Sequence, residues 1–274
     1  MGFHPRLIDA HCHFDDSRFD VDRADALERA YQAGVEEQII PAIKAAWWPR
    51  LRQLCETTPG CYPSYGLHPM FLGDHEEAHI QALKVWIEHE NPVAIGECGL
   101  DFYIQDPQTE RQHYFFEAQL QLAQEYDLPV IIHARRSVEE VINSLRNFPG
   151  LRGMLHSYSG SEQQAHRLIE MGFYLSFGGP VTYERAKRLR HLVESLPLEH
   201  LLIETDSPDQ PDSHHRGQRN EPAYLRVILD LFSQLRNQTA ELIADMSRKK
   251  PAAVSIMSGQ SGAAGPAPYE LFCR

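Results

Sequence analysis

Short apolar runs that end in imidazole or carboxylate recur along the whole of this chain. Leu7-Ile8-Asp9-Ala10 leads into His11-Cys12-His13, and Val93-Ala94-Ile95-Gly96 leads into Glu97. Val130-Ile131-Ile132 precedes His133, Gly153-Met154-Leu155 precedes His156, and Leu201-Leu202-Ile203-Glu204 runs up to Asp206. Runs of this length, largely apolar, have the pattern of strands. Metal-ligand residue types at the ends of strands so far apart in sequence imply one site built by convergence. A closed barrel of parallel strands supplies that convergence, because all its strands end at one face.

The stretches between these runs carry helical spacing. Strands are expected over 6–10, 38–42, 61–66, 93–98, 129–133, 153–156, 173–177 and 201–205. Helices are expected over 21–34, 47–58, 75–90, 108–126, 138–148, 161–171, 182–195 and 222–246. Eight strands each followed by a helix is the count of a (β/α)₈ TIM barrel, and 274 residues is a common length for one. An open doubly wound sheet is the rival. It usually carries a glycine-rich phosphate turn after its first strand, where this chain has His11-Cys12-His13-Phe14-Asp15. Ser137 and Ser159 or Ser161 are placed to cap the helices that follow them. From about Ser247 the apolar periodicity stops, and the chain runs into Gly259-Gln260-Ser261-Gly262-Ala263-Ala264-Gly265-Pro266-Ala267-Pro268. The organisation expected is therefore one barrel domain over 1–246 and a flexible tail over 247–274.

At 42% hydrophobic and 23% charged residues, with no apolar stretch long enough for a bilayer, the chain reads as soluble and globular. It shows no secretory signal, so a cytoplasmic location is expected. Its five cysteines have no paired spacing, which fits reduced thiols better than a disulfide framework. Cys12 and Cys98 sit beside candidate ligands, but side-chain alternation along extended backbone turns both away, as packed barrel residues. A net charge of −12 argues against a broad basic face for nucleic acid. It does not exclude a phosphodiester in a metal-filled cleft, where bound ions are the largest local charges.

Histidines two apart at a strand end project to one side, so His11 and His13 fit one ion. Barrel closure sets Asp206, after the eighth strand, beside the first. Glu97 faces the same mouth and has two oxygens with which to bridge two ions; His133 and His156 complete the second position. The expected ligands are thus His11, His13, Glu97 and Asp206 on one ion, and Glu97, His133 and His156 on the other. Two ions about 3.5–4 Å apart activate a shared water and stabilise a departing oxygen. Asp206 would also take the proton of that water and deliver it to the leaving group. Such a nitrogen-rich set suits Zn²⁺, Mn²⁺, Co²⁺ or Ni²⁺ better than Mg²⁺.

Asp9-Ala10-His11-Cys12-His13, Gly66-Leu67-His68-Pro69, Gly96-Glu97-Cys98-Gly99-Leu100-Asp101, Ile132-His133-Ala134-Arg135, His156-Ser157-Tyr158-Ser159-Gly160 and Glu204-Thr205-Asp206-Ser207-Pro208 closely resemble the motifs of the TatD family of metal-dependent hydrolases. They occur in that family's order and cover about 6 to 246. The resemblance implies an amidohydrolase-like barrel that hydrolyses an ester bond, most plausibly a DNA phosphodiester at an end or in a single strand. Gly217-Gln218-Arg219-Asn220 resembles a bacterial subgroup of uncharacterised hydrolases. The end departs from the family: in place of an Asn-x-x-Arg-Leu-Phe type of closing helix, Met246-Ser247-Arg248-Lys249-Lys250-Pro251 passes into the tail. Loss of that segment is expected to uncover apolar surface while sparing all six ligands.

Further residues carry two readings each. His68 lines a substrate pocket or bonds backbone at the rim. Arg135, two residues after His133, holds a phosphate bidentately or pairs with Asp101 or Glu204. Asp101 fits a supporting role better than a ligand's. His214-His215-Arg216 reads as a solvated loop over the mouth, and Trp47-Trp48 either stacks on bases or caps the core. The alternatives to a nuclease are an amide, lactone or ester hydrolase on a small molecule, and a non-catalytic metal-binding scaffold. The expected substrate is DNA or a small ester, with no membrane and no obligatory protein partner.

Overall fold

The computed structural model describes residues 5–248. Eight parallel strands follow one another in sequence order around a nearly closed barrel: β1 (Leu7–Asp9), β2 (Val35–Pro41), β3 (Cys61–Tyr65), β4 (Ala94–Asp101), β5 (Val130–Arg135), β6 (Gly153–Leu155), β7 (Phe173–Phe177) and β8 (Leu201–Ile203). The seam is closed by irregular bonds rather than a ladder. Ala10 N donates to Ile203 O at 3.2 Å, Asp206 N to His11 O at 2.9 Å, and His13 N to Ser207 O at 2.7 Å. Those same bonds bring the segments carrying His11, His13 and Asp206 side by side.

Helices α1 (Arg23–Gln32), α2 (Trp48–Thr57), α3 (Ala78–Glu90), α4 (Thr109–Glu125), α5 (Val138–Leu145), α6 (Glu162–Glu170), α7 (Lys187–Ser195), α8 (Leu225–Arg236) and α9 (Ala240–Arg248) form the outer layer. Ser161 caps α6 with a reciprocal Ser–Gln box. Ser137 stands at the cap position of α5, but its hydroxyl donates to Leu100 O at 2.6 Å instead. The single helix expected over 222–246 is two. Asn237, left-handed at φ 50°, ends α8, and Thr239 Oγ1 accepts from Leu242 N at 3.2 Å to start α9. The helix expected from 182 begins only at Lys187, after a 3₁₀ turn that contains Pro180.

Ile243 and Ala244 of α9 are buried, and the helix packs against β1 and β8 across the seam. Ser247 and Arg248 complete α9; the rest of the tail expected over 247–274 lies outside the described residues. No helix among the described residues is long and apolar enough to cross a membrane.

Two apolar layers hold the barrel. The larger lies between strands and helices; the smaller is the barrel interior, with Ile39, Ile131, Met154, Tyr174 and Leu202. Ile131, Met154 and Leu202 stand two positions before His133, His156 and Glu204. Alternation therefore stacks the polar residues directly above an apolar floor.

Two glutamines of α4 reach through to the barrel top. Gln119 accepts from Leu67 N at 2.8 Å and fixes the backbone beside His68, while Gln112 accepts from Asp101 N at 2.7 Å and donates to Asp101 O at 2.9 Å.

Candidate metal centre

Glu97 is not at the end of its strand, as the sequence suggested, because β4 runs four residues further to Asp101. The register against β5 slips once between Ile95 and Cys98, so β4 carries one extra residue. Such a bulge re-aims side chains, and here it turns Glu97 into the barrel mouth. Gly99, at φ 142°, pairs with His133; a Cβ there would stand 2.0 Å from His133 O. Only glycine lets β4 and β5 approach this closely.

Around Glu97 the expected residues converge. His11 Nε2 lies 3.3 Å from His13 Nε2, 3.3 Å from Glu97 Oε2 and 3.4 Å from Asp206 Oδ1. His13 Nε2 lies 3.4 Å from Glu97 Oε2 and 3.6 Å from Asp206 Oδ1. Four ligands around one ion at bonds of about 2.0–2.2 Å stand about 3.3–3.6 Å apart, so these atoms have tetrahedral spacing. Glu97 Oε2 is buried without a hydrogen-bond partner, which suits a lone pair kept for a cation.

The other oxygen, Oε1, lies 2.8 Å from His156 Nε2, 3.2 Å from His133 Nδ1 and 3.0 Å from His68 Nε2; His133 Nδ1 and His156 Nε2 are 3.1 Å apart. One carboxylate thus joins two groups of donors.

Neighbouring bonds decide which ring nitrogens are free. His13 Nδ1 donates to Pro41 O at 3.2 Å, and His133 Nε2 donates to Asp101 Oδ2 at 3.0 Å. Each leaves its other nitrogen with a lone pair toward the centre, the arrangement in which an acceptor orients a metal-binding imidazole. His68 is different. Its Nδ1 accepts from Met70 N at 3.1 Å, so the proton of the neutral ring sits on Nε2 and is donated to Glu97 Oε1. His68 is therefore a hydrogen-bond donor to Glu97, although it also lines the cavity above.

The charges agree with this division. Burial alone would raise the Glu97 carboxyl, but His156, His68 and His11 overcome it and hold it well below the usual range. Burial likewise opposes Asp206, yet His11, His156 and His13 bring it to about 2. Burial lowers imidazoles, but Glu97, with help from Asp206 and Asp15, carries His13 up to about 9. Burial pushes His68 down to about 4, so it stays neutral. The two carboxylates create a field that favours positive charge at this place, whether as protons on imidazole or as metal ions.

A pH dependence follows. In metal-stripped protein His13, raised from 6.5 to about 9, contributes stability that is full below 6.5 and lost as pH rises through 9. Asp206, lowered from 3.8 to about 2, contributes stability present above 3.8 and lost as pH falls through 2. Ions compete with protons for the same imidazoles, so the gain in Tm on adding a divalent ion should grow between about pH 6 and 9. Thermal melts with and without ion across that range check this, and a gain that shrinks with pH would rule the imidazoles out as ligands.

Residues 8–254 match the sequence family described as TatD related DNase. The chain is 40% identical over 242 residues to the uncharacterized metal-dependent hydrolase YjjV of Escherichia coli K12, covering 87% of this chain and 93% of that one. It is 35% identical over 243 residues to the uncharacterized metal-dependent hydrolase YabD of Bacillus subtilis 168, covering 88% and 95%. The crystal structure of the TatD homolog YjjV superposes with a TM-score of 0.87 at 38% identity, over 91% of this chain and 97% of that one. The chain belongs to the TatD family. It is a metal-dependent hydrolase with the (β/α)₈ fold of that family. A TatD family hydrolase from Entamoeba histolytica shares the fold, with a TM-score of 0.80 at 20% identity over 92% of this chain and 99% of that one.

The centre of this TatD barrel opens into a cavity of about 690 Å³. Arg135 lines it, nearly half exposed, with its guanidinium 3.7 Å from the Tyr103 ring centroid and a loose 3.9 Å approach to Asp101. Asp101 supports His133 and accepts from Tyr103 N at 2.9 Å. Cys12 and Cys98 are buried away from the centre, with Cys12 Sγ donating to Gln38 Oε1 at 3.4 Å. Cys12, Cys55, Cys61 and Cys98 are free thiols; Cys273 lies outside the described residues. His214 and Arg216 are exposed, and His215 stacks on Tyr224 and bonds Asp212, so that loop does not reach the cavity.

Three residues brace the centre in a way the sequence did not suggest. Asp9 accepts from Thr205 N at 2.9 Å and Thr205 Oγ1 at 2.5 Å, joining the strands that bear His11 and Asp206. Glu204 accepts from Ser157 N at 2.7 Å and from Ser176 Oγ. Both share the parity of the ligand residues two positions on, and that signal was readable. Gln210 Nε2 donates to Asp206 Oδ2, while its Oε1 accepts from Ser157 Oγ at 2.8 Å. It lies in an irregular loop with no sequence periodicity to mark it.

Proposed function

We propose that this hydrolase is a two-ion phosphodiesterase that acts on DNA ends or single strands. The observation that carries the reading is the division of Glu97: Oε2 in one group with His11, His13 and Asp206, and Oε1 in a second with His133 and His156. When bound, a pair of divalent ions would supply an activated water and neutralise charge on the departing oxygen.

The chain's own residues do the rest. Glu97, with His11, His13, His133, His156 and Asp206, would hold the ions. Asp101 and Pro41 O orient the imidazoles of His133 and His13. Asp206, ionised at neutral pH and held by Gln210, accepts the proton of the attacking water and returns it to the leaving oxygen as the P–O bond breaks. Arg135, presented on the Tyr103 ring, meets a phosphate oxygen. The recess favours a frayed end over intact duplex, because the phosphodiester must descend to the barrel mouth.

The test uses metal-stripped protein reconstituted with Zn²⁺, Mn²⁺ or Mg²⁺, offered end-labelled single-stranded DNA beside a simple carboxylic ester. Metal-dependent shortening of the DNA is expected, with a loss on the order of 10²–10⁴-fold in Asp206→Asn and an unchanged circular dichroism spectrum. Arg135→Ala should weaken phosphodiester turnover more than ester turnover. Ester hydrolysis with intact DNA would move the assignment to a small-molecule hydrolase. Full activity in Asp206→Asn would remove its proton-transfer role, and bound metal with no turnover of either substrate would favour a scaffold.

A further inference from the structure

The adjacent tryptophans have separate fates. Trp48 is buried behind the barrel wall, where its Nε1 donates to Gly66 O at 3.2 Å. Together with Tyr65 and Trp86 it forms a packed aromatic group, with ring centroids 5.6 to 6.2 Å apart. Trp47 takes no part in that group and lines the cavity instead.

Its ring lies 6.2 Å from Phe71, tilted by 52°, and Phe71 also lines the cavity. Phe71 is 6.0 Å from His68, whose Nε2 is 3.0 Å from Glu97 Oε1. A chain of ring contacts, edge-on between His68 and Phe71 at 63°, therefore runs from the acid–imidazole centre outward. Lys44 keeps the outer pair in place: its ammonium lies 4.5 Å from the Trp47 ring and 4.7 Å from Phe71, tied to Asp74 at 3.0 Å. Lys44 is not among the residues lining the cavity. Rings held this way are preorganised for a flat partner.

We propose that Trp47 and Phe71 form a nucleobase-stacking subsite, which takes the base adjoining the phosphodiester held at the centre. The subsite deepens the phosphodiesterase reading and rests on it. Asp15, Asp16 and Asp209 line the arc after β1 and β8 together with Arg18, whose guanidinium ties Asp209 at 2.8 Å and Asp16 at 3.0 Å, while the aromatic pair follows β2 and β3 and Arg135 ends β5. Cations therefore stand on both sides of the mouth for a strand's phosphates, and Trp47 and Phe71 supply rings on the β2–β3 side for its base. Every base has a stackable face, so the subsite tolerates any sequence.

The test is calorimetry on the metal-loaded full chain with deoxyadenosine monophosphate, 2-deoxyribose 5-phosphate and deoxyadenosine. The nucleotide is expected to bind about tenfold more tightly than the sugar phosphate, with that advantage lost in Trp47→Ala and largely kept in Trp47→Phe. Metal content and Tm should be unchanged in Trp47→Ala, because its ring is outside the packed aromatic group. Deoxyadenosine alone should quench tryptophan fluorescence in the wild type and not in that variant. Equal affinity for nucleotide and sugar phosphate overturns the subsite and leaves the phosphodiesterase reading standing. A base-dependent advantage that survives Trp47→Ala overturns it as well. Base-dependent binding through Trp47 without turnover of any phosphodiester sustains the subsite and sinks the phosphodiesterase.

Discussion

Glu97→Gln should remove metal binding and hydrolysis together. The carboxylate faces both sets of donors, with Oε2 against His11 and His13 and Oε1 against His68, His133 and His156. An amide has the same shape but no charge, and it replaces one acceptor with an N–H donor. That donor would face imidazole nitrogens that must keep their lone pairs to bind metal. A loss of at least about 10³-fold in turnover is expected, as when a preorganised charged group is taken from a dry site. Metal content after dialysis, measured beside turnover and circular dichroism, checks the prediction. Retention of two ions would end the bridging assignment; retention of one would show that Glu97 serves a single position.

The second large effect is structural. Gly99→Ala would place a methyl group 2.0 Å from His133 O at a backbone φ of 142°, where β4 and β5 are paired. Neither strand can yield without moving Glu97 or His133. A destabilisation above about 4 kcal/mol is expected, together with loss of metal affinity. For a domain of this size that lowers Tm by roughly 10 °C. Gly172→Ala is the control: φ is 90°, but no atom lies within 4 Å of the added carbon. It should cost only the backbone strain, about 1–2 kcal/mol, and leave metal binding intact. Equal effects at the two sites would mean that strand approach is not what Gly99 provides.

The candidate residues were legible in advance because barrel topology converts strand ends into neighbours. His11, His13, Glu97, His133, His156 and Asp206 were picked out by residue type and position, and the structure gathers them around Glu97. Asp9 and Glu204 could have been found by the same alternation. Details of backbone course were not legible. The slip in β4 depends on how Gly96 and Gly99 meet β5, and the break before α9 depends on a single left-handed residue, Asn237. Periodicity registers neither.

His68 shows the limit most clearly. Its type and place suited a substrate contact equally with a rim residue, and nothing in the chain's order favours one. The Met70 N–H, brought back by a 3₁₀ turn, occupies Nδ1 and thereby sends the ring's proton toward Glu97. Trp47 and Trp48 are a second case, since neighbours of identical composition are told apart only by which one the core accepts.

By itself, then, the order of residues determined the number of strands, the barrel that eight βα units require and the set of groups able to meet at its mouth. Those depend on local periodicity and on a topology that leaves few alternatives. Tertiary structure decided which oxygen of Glu97 faces which histidines, which nitrogen of each ring is free, and that Gln210 holds Asp206. These depend on contacts between segments distant in sequence, and hydrogen-bond direction is set by the partner as much as by the residue itself.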